Sequence, residues 1–374
     1  MLVKQQSHLH SAGRTPRPIT VAVTGLNATD NPGPGVGVLR SLRASEANYR
    51  LVGLAYDALD PGVYAKDLAD GVFMIPYPSQ GLDTFLARIE YIHAQTPIDV
   101  VIPTLDAELP SFIATQSRLR EMGIRCLVPT QEQLDMRAKV RLTQLGRLSG
   151  LPVPREAIVS SAAELTTIHQ KIPYPFFVKG PFYGATLARS LDQAVAAYHK
   201  ALATWGPPVV VQEFVDGEEY NVIALGDGLG GLVGAVPMKK MALTDKGKGW
   251  AGITIKAHDL IELAAQFAKA TQWTGGCEIE VIRDKHGGNQ VIEINPRFPA
   301  WVHLSTAAGI NMPHLLTQMA LGRQVIPQKD YRIGAMFVRI SLDQIVDFTD
   351  FQRFIISGEL VSEPGAAAVV EVAS

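Results

Sequence analysis

Acidic and amide side chains alternate along two neighbouring apolar segments of this chain. In CEIEV, Glu278 and Glu280 share one face of a predicted strand, and in VIEIN, Glu293 and Asn295 do the same. The intervening KHGGN favours a tight hairpin. Pairing of the two strands would bring Glu280 beside Glu293 and Asn295. Two carboxylates and an amide oxygen are ligands that Mg²⁺ takes when it also holds phosphates, so the segment predicts a magnesium-phosphate site.

A permanent cation follows the second strand. In the tetrapeptide NPRF, Pro296 ends the ladder and thereby fixes where Arg297 projects. Taken alone, the same segment is also compatible with a half-exposed hairpin that has acids on its solvent face. The choice between these two interpretations depends on residues elsewhere in the chain.

Composition excludes several classes of function. The 374 residues are 47% hydrophobic and 19% charged with a formal net charge of −2, which fits a globular protein of two or three domains without broad attraction to nucleic acid or acidic membranes. The cysteines, Cys126 and Cys277, lie in apolar segments, so we expect buried thiols and neither a disulfide nor a zinc site. No apolar run has the length of a membrane span, and the N-terminus lacks the pattern of a signal peptide. We therefore expect a cytoplasmic protein.

The first third of the chain alternates between strand and helix signals. Residues 1–17 are polar and aperiodic, and we expect a disordered tail. Residues 18–130 alternate apolar segments such as ITVAVTG and DVVIPT with helical segments. This alternation predicts a Rossmann-like α/β domain with an open parallel sheet, in which ligands meet the carboxyl ends of the strands. The loops at residues 25–37 and 104–108 would face that edge.

The pattern changes after residue 130. The segment QEQLDMRAKVRLTQLGRLSG predicts one long amphipathic helix that ends before PVP. Segments such as PYPFFVKG, PPVVVQEFV and EEYNVIALG then predict an α+β region with antiparallel strands. The predicted domains are a first lobe at residues 131–210, a second lobe at 211–330 and a C-terminal extension at 331–374.

Two further segments carry nucleotide-binding signals. PFFVKG ends an apolar strand with Lys179, and a lysine at a strand end can reach nucleotide phosphates. QEFVDGEEY follows another apolar strand, and such a turn can offer backbone N–H and C=O groups to an adenine edge. Each signal alone is weak, and their order along the chain is the specific feature.

That order resembles the ATP-grasp superfamily. The resemblance runs from Lys139, in the predicted helix before GLPVP, through Lys179 and QEFVDGEEY to the hairpin and Arg297. The NPRF and PTLDAELP segments look most like the branch with carbamoyl phosphate synthase, biotin carboxylase and the carboxylate-amine ligases. The resemblance implies an N-terminal pre-ATP-grasp domain followed by a two-lobed ATP-grasp domain. It also implies an enzyme that activates a carboxylate as an acyl phosphate with ATP, releases ADP and passes the acyl group to a nucleophile.

The resemblance assigns roles to particular residues. The groups that would hold ATP phosphates are Lys139, Lys179 and Thr186. The groups that would border adenine are Gln212, Glu213, Phe214 and Val215, while Glu219 or its neighbour Glu218 would accept from the ribose hydroxyls. The groups that would bind two Mg²⁺ ions are Glu280, Glu293 and Asn295. The catalytic groups would be Arg297, which stabilises the acyl phosphate, and Lys239 and Lys240, which pair with the acid substrate.

The chain departs from the family pattern after Lys179. Relatives often carry a loop rich in Gly and Ser there, whereas this chain reads GPFYGATLARS, so phosphate cover would come from Thr186 and backbone amides near Gly184. The polar loop at residues 239–252 has two interpretations, a segment that orders over the substrate and a mobile surface loop.

Several residues near the predicted site keep alternative interpretations. Gly33-Pro34-Gly35-Val36-Gly37 is similar to a dinucleotide fingerprint, but its spacing is wrong, and we expect this loop to face the shared site. Asp106 and Glu108 would either contact the amine of an acceptor or cap a helix. We expect Glu278 to support the site or be exposed, Trp301 to pack, and His303 to begin a helix.

The sequence predicts an ADP-forming ligase that joins a carboxylate to an amine or similar nucleophile. A carboxyphosphate-forming enzyme and a non-catalytic ATP-binding sensor are the alternatives. The substrates stay open between amino acids, small metabolites and peptides. We expect no nucleic-acid or membrane partner, and a homodimer would be the commonest assembly.

Overall fold

A computed structural model describes residues 17–28, 32–181, 184–245 and 247–361. Within these residues the chain forms three β-sheets with helices packed against them. Most of the tail predicted at residues 1–17 and the end of the C-terminal extension lie outside the described residues.

The N-terminal region forms the parallel sheet that the sequence predicts. Its first five strands are β1 (Ile19–Val23), β2 (Tyr49–Ala55), β3 (Gly71–Met74), β4 (Val100–Ile102) and β5 (Arg125–Cys126). Strand β1 lies between β2 and β4, with Val21 opposite Leu51 and Val100. These apolar strands are buried because helices cover both faces of a parallel sheet. The covering helices are α1 (Pro34–Arg43), α2 (Leu82–Gln95) and α3 (Leu109–Glu121).

The long helix predicted after residue 130 is wrong, because the chain breaks there into two helices. They are α4 (Gln131–Met136) and α5 (Leu142–Ser149), separated by a 3-10 turn at Lys139–Arg141. Ala138 is extended, with φ −54° and ψ 140°. Leu134 of α4 packs in a core of the N-terminal sheet, whereas Leu142 and Leu145 of α5 pack under a different sheet. The two halves of the segment therefore belong to two hydrophobic cores.

The second sheet forms the smaller lobe. Its strands are β6 (Glu156–Val159), β7 (Phe176–Lys179), β8 (Ala185–Ala188) and β9 (Val209–Glu213) in the order β6-β9-β7-β8, and all neighbours are antiparallel. Helices α6 (Leu165–Ile168) and α7 (Leu191–Trp205) belong to this lobe. Val178 and Val211 pack with the helices, so the opposite face of the sheet carries Phe177 and Lys179. Strand β9 crosses the lobe boundary predicted at residue 210.

The third sheet carries the predicted hairpin. Its strands are β10 (Gly217–Asp227), β11 (Leu232–Leu243), β12 (Gly249–Thr254), β13 (Thr274–Asp284), β14 (Asn289–Asn295) and β15 (Met336–Val338), ordered β14-β13-β10-β11-β12-β15. Helix α8 (His258–Thr271) packs on one face through Phe267 and Ala264. Part of the other face, including Ile223 and Val236, packs in the same core as the N-terminal sheet.

The C-terminal part of the chain returns to the first sheet. After α9 (His303–Ala307) and α10 (Met312–Ala320), strand β15 pairs with β12. Helix α11 (Phe348–Ser357) then leads to β16 (Glu359–Val361), which pairs antiparallel with β3. The predicted C-terminal extension thus contributes strands to two sheets. In the part of the chain that is described, no helix combines the length and apolar character needed to cross a bilayer.

Candidate active site

The hairpin places the predicted metal ligands beside each other. Glu280 on β13 lies directly opposite Glu293 on β14, and Glu278 lies opposite Asn295. The amide Nδ2 of Asn295 donates to Glu278 Oε2 and to Glu280 Oε1, each at 3.1 Å. At the connecting turn Gly287 has φ +85°, which glycine adopts without strain. The alternation in the sequence therefore places all four polar side chains on one face.

Two lysines from outside the third sheet face Glu293. The 3-10 turn after α4 brings Lys139 Nζ to 3.2 Å from Glu293 Oε1. Lys179 at the end of β7 is buried and donates to Gln212 Oε1, while Gln212 Nε2 donates to Glu156 Oε1 at 2.6 Å. Burial lowers the pKa of Lys179, and the nearby Glu293 offsets only part of this effect. Both lysines predicted to hold phosphates thus lie near the acidic hairpin, Lys139 from the turn after α4 and Lys179 from the smaller lobe.

Lys240 bridges two carboxylates at the centre of the cleft. Its Nζ lies 2.7 Å from Glu219 Oε2 and 3.2 Å from Glu280 Oε2. Burial alone would lower the pKa of Lys240, but the charges of Glu280 and Glu219 raise it well above its ordinary value. Burial alone would raise the pKa of Glu280, but Lys240 outweighs this effect and lowers it. Lys240 and Glu280 are therefore both charged at neutral pH.

Lys239 lies on the opposite face of the same strand. Its Nζ bonds Glu218 Oε1 at 2.5 Å and lies 5.9 Å from the centre of the Tyr220 ring. Successive residues of a strand point to opposite faces. The structure consequently brings Lys240 and Glu219 into the cleft and leaves Lys239 and Glu218 outside it.

The predicted adenine segment links the two lobes. Gln212 and Glu213 end β9, and Phe214 and Val215 connect it to β10. The Glu213 carboxylate pairs with Arg155 at 2.6 Å, and this hydrogen bond lowers the pKa of Glu213. The Phe214 ring lies 5.8 Å from that of Phe177, on the same sheet face as Lys179. The connection follows directly after Gln212, which accepts a hydrogen bond from Lys179, and Glu213.

Thr186 does not lie beside Lys139 and Lys179 in this structure. It is exposed on edge strand β8 and lies opposite Val178, whereas Ala185 lies opposite Lys179. Val178 faces the helix-covered core, so Thr186 lies on that face and Lys179 on the other. Residues 182 and 183 of the same loop lie outside the described residues.

Arg297 is held between carboxylates of two sheets. Its Nε donates to Asp106 Oδ1 at 3.0 Å, and its Nη1 donates to Glu278 Oε2 at 3.2 Å. Asp106 also lies 3.6 Å from Arg137, which comes from the turn between α4 and α5. Asp106 therefore joins the N-terminal sheet to the third sheet.

The helix-capping interpretation of Glu108 is wrong. Helix α3 has no side-chain cap, and the buried Glu108 carboxylate instead accepts from the backbone N–H groups of Thr104 and Leu105 at 2.7 and 2.8 Å. The hydroxyls of Thr24 and Tyr56 donate to the same carboxylate. Burial raises the pKa of Glu108. This group stabilises the loops at the carboxyl edge of the parallel sheet.

Several polar residues of the cleft have roles that sequence reasoning missed or left open. Glu278 is buried rather than exposed, and Trp301 both packs and donates its indole N–H to Glu278 at 2.6 Å. Asn221 on β10 is buried opposite Glu280. Glu278 was detectable from strand alternation, but Asn221 was not, because its partner strands are distant in sequence. His303 begins α9, as predicted.

The donor set fits a Mg²⁺ ion that arrives with phosphates. Among the residues described, no three His, Cys, Asp or Glu side chains are grouped to hold a metal by themselves. Glu280, Glu293 and Asn295 supply hard oxygen atoms, and the buried Oδ1 of Asn221 has no hydrogen-bond partner within the described chain. Mg²⁺ is commonly bound through one or two carboxylates plus substrate phosphates and water. The residues present match that mode.

Comparisons with known proteins point to one superfamily. Residues 206–339 match the family described as ATP-grasp in the biosynthetic pathway with Ter operon. A D-alanine–D-alanine ligase of Ectopseudomonas mendocina is 27% identical over 170 residues, which is 42% of this chain and 54% of that protein. The carbamoyl phosphate synthase large chain of Thermomicrobium roseum is 27% identical over 230 residues, which is 58% of this chain and 21% of that protein. The chain thus spans about half the length of the D-alanine–D-alanine ligase it matches.

A solved structure shares the fold. The biotin carboxylase domain of Hydrogenobacter thermophilus 2-oxoglutarate carboxylase, described as a dimer in complex with MgADP, ADP and bicarbonate, superposes with a TM-score of 0.66 at 18% identity. The superposition covers 86% of this chain and 74% of that chain. At this identity the likeness is one of fold.

Proposed function

This chain carries an ATP-grasp domain, and from that premise we propose that it is an ADP-forming ligase that joins a carboxylate to an amine or similar nucleophile. The proposed activity runs through an acyl phosphate made with ATP and Mg²⁺, with two ions in the site. One observation carries the proposal. Lys139 and Lys179 lie close to the acidic hairpin that contains Glu280, Glu293 and Asn295. Cations that hold phosphates and oxygen ligands for Mg²⁺ thus meet in one cleft.

In the proposed reaction the protein aligns the reactants and stabilises charge, and it forms no covalent bond with them. Phosphoryl transfer is accelerated mainly by alignment and by groups that offset charge on the transferring phosphoryl group. Mg²⁺ would supply part of that charge when held by Glu280, Glu293 and Asn295. Arg297 would supply the rest at the acyl phosphate and at the tetrahedral species that follows.

Nucleotide binding would exchange the ion pairs of the cleft. Lys139 pairs with Glu293; in the proposed complex its ammonium would move to a phosphate oxygen, and Glu293 would be available to hold Mg²⁺. Lys179 is buried with a lowered pKa, so a phosphate beside it would restore an electrostatic partner for its charged form. In the same way, the ammonium group of Lys240 would leave its ion pair with Glu280 and pair with the carboxylate of the acid substrate.

The remaining assignments extend this proposal. The backbone at Phe214 and Val215, beside Gln212 and Glu213, would border adenine, and Glu219 would contact ribose. Thr186 would reach the phosphates only from a different position, because it and Lys179 lie on opposite faces of their sheet. Lys239 would act only from the outer face of its strand. The substrates we propose are small molecules or peptides, and the compartment we propose is the cytoplasm.

Carboxyphosphate chemistry is the second candidate. The specific observation in its favour is that the carbamoyl phosphate synthase chain matches a larger share of this chain, 58%, than the D-alanine–D-alanine ligase does, 42%. In that case bicarbonate would be the acid that ATP activates. The acidic hairpin and the lysines would play the same parts.

Nucleotide product analysis tests both candidates. Purified protein with Mg-ATP is incubated with amino acids, small carboxylates, short peptides and bicarbonate, each with and without an amine, and ADP and AMP are quantified. ADP and phosphate formed only with a carboxylate and amine pair would support the ligase. Bicarbonate-dependent ADP would support carboxyphosphate chemistry, and AMP as the product would contradict both. Tight ATP binding without turnover would favour the non-catalytic sensor.

A further inference from the structure

Glu278 lies at the centre of a buried hydrogen-bond network to which the predicted roles assign no function. Its Oε1 accepts from Asn221 Nδ2 at 2.5 Å and from Trp301 Nε1 at 2.6 Å. Its Oε2 accepts from Asn295 Nδ2 at 3.1 Å and from Arg297 Nη1 at 3.2 Å. The Glu278 side chain is 8% exposed. A carboxylate with two donors on each oxygen is fully used within the protein, so Glu278 is not itself a ligand-binding group.

We propose that Glu278 is a positioning residue that fixes the guanidinium of Arg297. This inference rests on the proposed function, because it concerns how the predicted phosphoryl-binding group is held. Asp106 accepts from Arg297 Nε and Glu278 accepts from Nη1. Contacts at two different nitrogens of a planar guanidinium fix both its position and the tilt of its plane.

The network draws on parts of the chain that are distant in sequence. Asn221 comes from β10, Glu278 from β13, Asn295 from β14, and Trp301 from the segment before α9. Trp301 is buried, so its ring packs in the core while its N–H orients the Glu278 carboxylate. Asp106 adds the N-terminal sheet. Arg297 is therefore fixed relative to the whole cleft rather than to its own strand.

The chemistry of the site requires a glutamate at this position. A glutamine at 278 has one acceptor oxygen and one NH₂ group, so two of the four donors would face another donor. It would also leave Arg297, which is 14% exposed, with one carboxylate fewer to balance its charge. An aspartate is one methylene shorter and would not reach donors on both sides. Glu278→Gln thus changes the positioning of Arg297 while it keeps the volume of the side chain.

The test uses MgADP with aluminium fluoride, which imitates the transferring phosphoryl group and requires no knowledge of the carboxylate. Calorimetry measures the Kd of MgADP and then of fluoride-dependent binding. For Glu278→Gln we expect the Kd of MgADP to stay within about threefold of wild type, while fluoride-dependent affinity falls by about 10- to 100-fold. Arg297→Lys should show a similar split. The double variant should lose little beyond Arg297→Lys alone, because Glu278 acts through Arg297.

Matched variants separate positioning from stability. Asp259→Asn removes a carboxylate that holds Arg283 and Asn289 at the far end of the same hairpin, and we expect it to bind both probes like wild type. If Glu278→Gln does not fold, Trp301→Phe keeps an aromatic ring and removes one donor, and it should weaken fluoride-dependent binding by about three- to tenfold. Wild-type fluoride-dependent affinity in Glu278→Gln or, in its place, in Trp301→Phe would overturn the proposal. Independent, additive losses in the double variant would overturn it as well. A wild-type protein that binds no MgADP would overturn the proposed function itself.

Discussion

Replacing Lys240 by methionine should destabilise the ligand-free protein strongly, because it leaves the charged carboxylate of Glu280 without its ion-pair partner. Lys240 is 7% exposed and lies within 3.2 Å of Glu280, and it lowers the pKa of Glu280 to about 2 despite burial. A fall in pKa from the ordinary 4.5 to about 2 is worth about 3 kcal/mol of stability at neutral pH. Because the Glu280 side chain is 22% exposed and keeps some solvent contact, we expect a loss of about 2–3 kcal/mol in Lys240→Met.

The pH dependence follows from the sign of this effect. A carboxyl group with a lowered folded-state pKa stabilises the protein above its unfolded pKa, and that stabilisation is lost as the pH falls through the folded value. In Lys240→Met the pKa of Glu280 rises, so the group is neutral in mildly acidic solution. The difference in unfolding free energy between wild type and variant should thus be full at pH 7, begin to shrink in mildly acidic solution as Glu280 of the variant is protonated, and shrink further below about pH 4.5 as the wild type loses its own stabilisation.

Urea denaturation of wild type and Lys240→Met at several pH values measures this difference. Lys239→Met is the matched control, since the neighbouring lysine pairs with an exposed carboxylate, and we expect little change from it. Adding Glu280→Gln to Lys240→Met should recover part of the loss, because the stranded charge is removed. A Lys240→Met variant as stable as wild type at pH 7, or a double variant no more stable than the single one, would refute the reasoning.

Three further predictions concern the lysines, the acidic hairpin and Arg297. Lys179→Met should raise the melting temperature of the ligand-free protein. Burial lowers the pKa of Lys179, so the charged lysine destabilises the folded protein at any pH below the pKa that the group has in the unfolded chain. An unchanged or lower melting temperature would count against this prediction. Lys179→Ala and Glu293→Ala should each abolish ADP formation while circular dichroism shows an intact fold, and normal turnover in either would remove the proposed site. Arg297→Ala should keep ATP affinity within a fewfold and reduce ligation by about 100-fold or more, whereas loss of ATP binding would mean that Arg297 already contacts the nucleotide in the ground state.

The acidic hairpin was predictable because its signals are local. Period-two alternation fixed which face Glu280, Glu293 and Asn295 share, and the glycines fixed the turn between them. The same rule implies that Lys239 and Lys240 point to opposite faces. Both lysines can contact the substrate only if the segment is a loop, whereas β11 extends to Leu243.

Other features depended on contacts that no local pattern reports. The break between α4 and α5 occurs because Leu134 and Leu142 pack in different cores, although the helical periodicity continues across it. The position of Glu278 at the centre of a hydrogen-bond network is visible only in the folded chain, where β10, β13 and the segment before α9 lie side by side. The strands β15 and β16 are three residues each, which is too short for a sequence signal, and their partners lie far away in the chain.

The return of the chain to its first sheet has a consequence for biosynthesis. Strand β3 shows an unpaired edge from the time it emerges from the ribosome until β16 is made, almost three hundred residues later. An exposed strand edge is a template for pairing with other chains, and long-range pairing slows folding. A chain that stops before Phe348 would contain every residue of the cleft and still leave that edge open. Aggregation of such a truncated chain during synthesis, rather than loss of chemistry, is the failure that this topology favours.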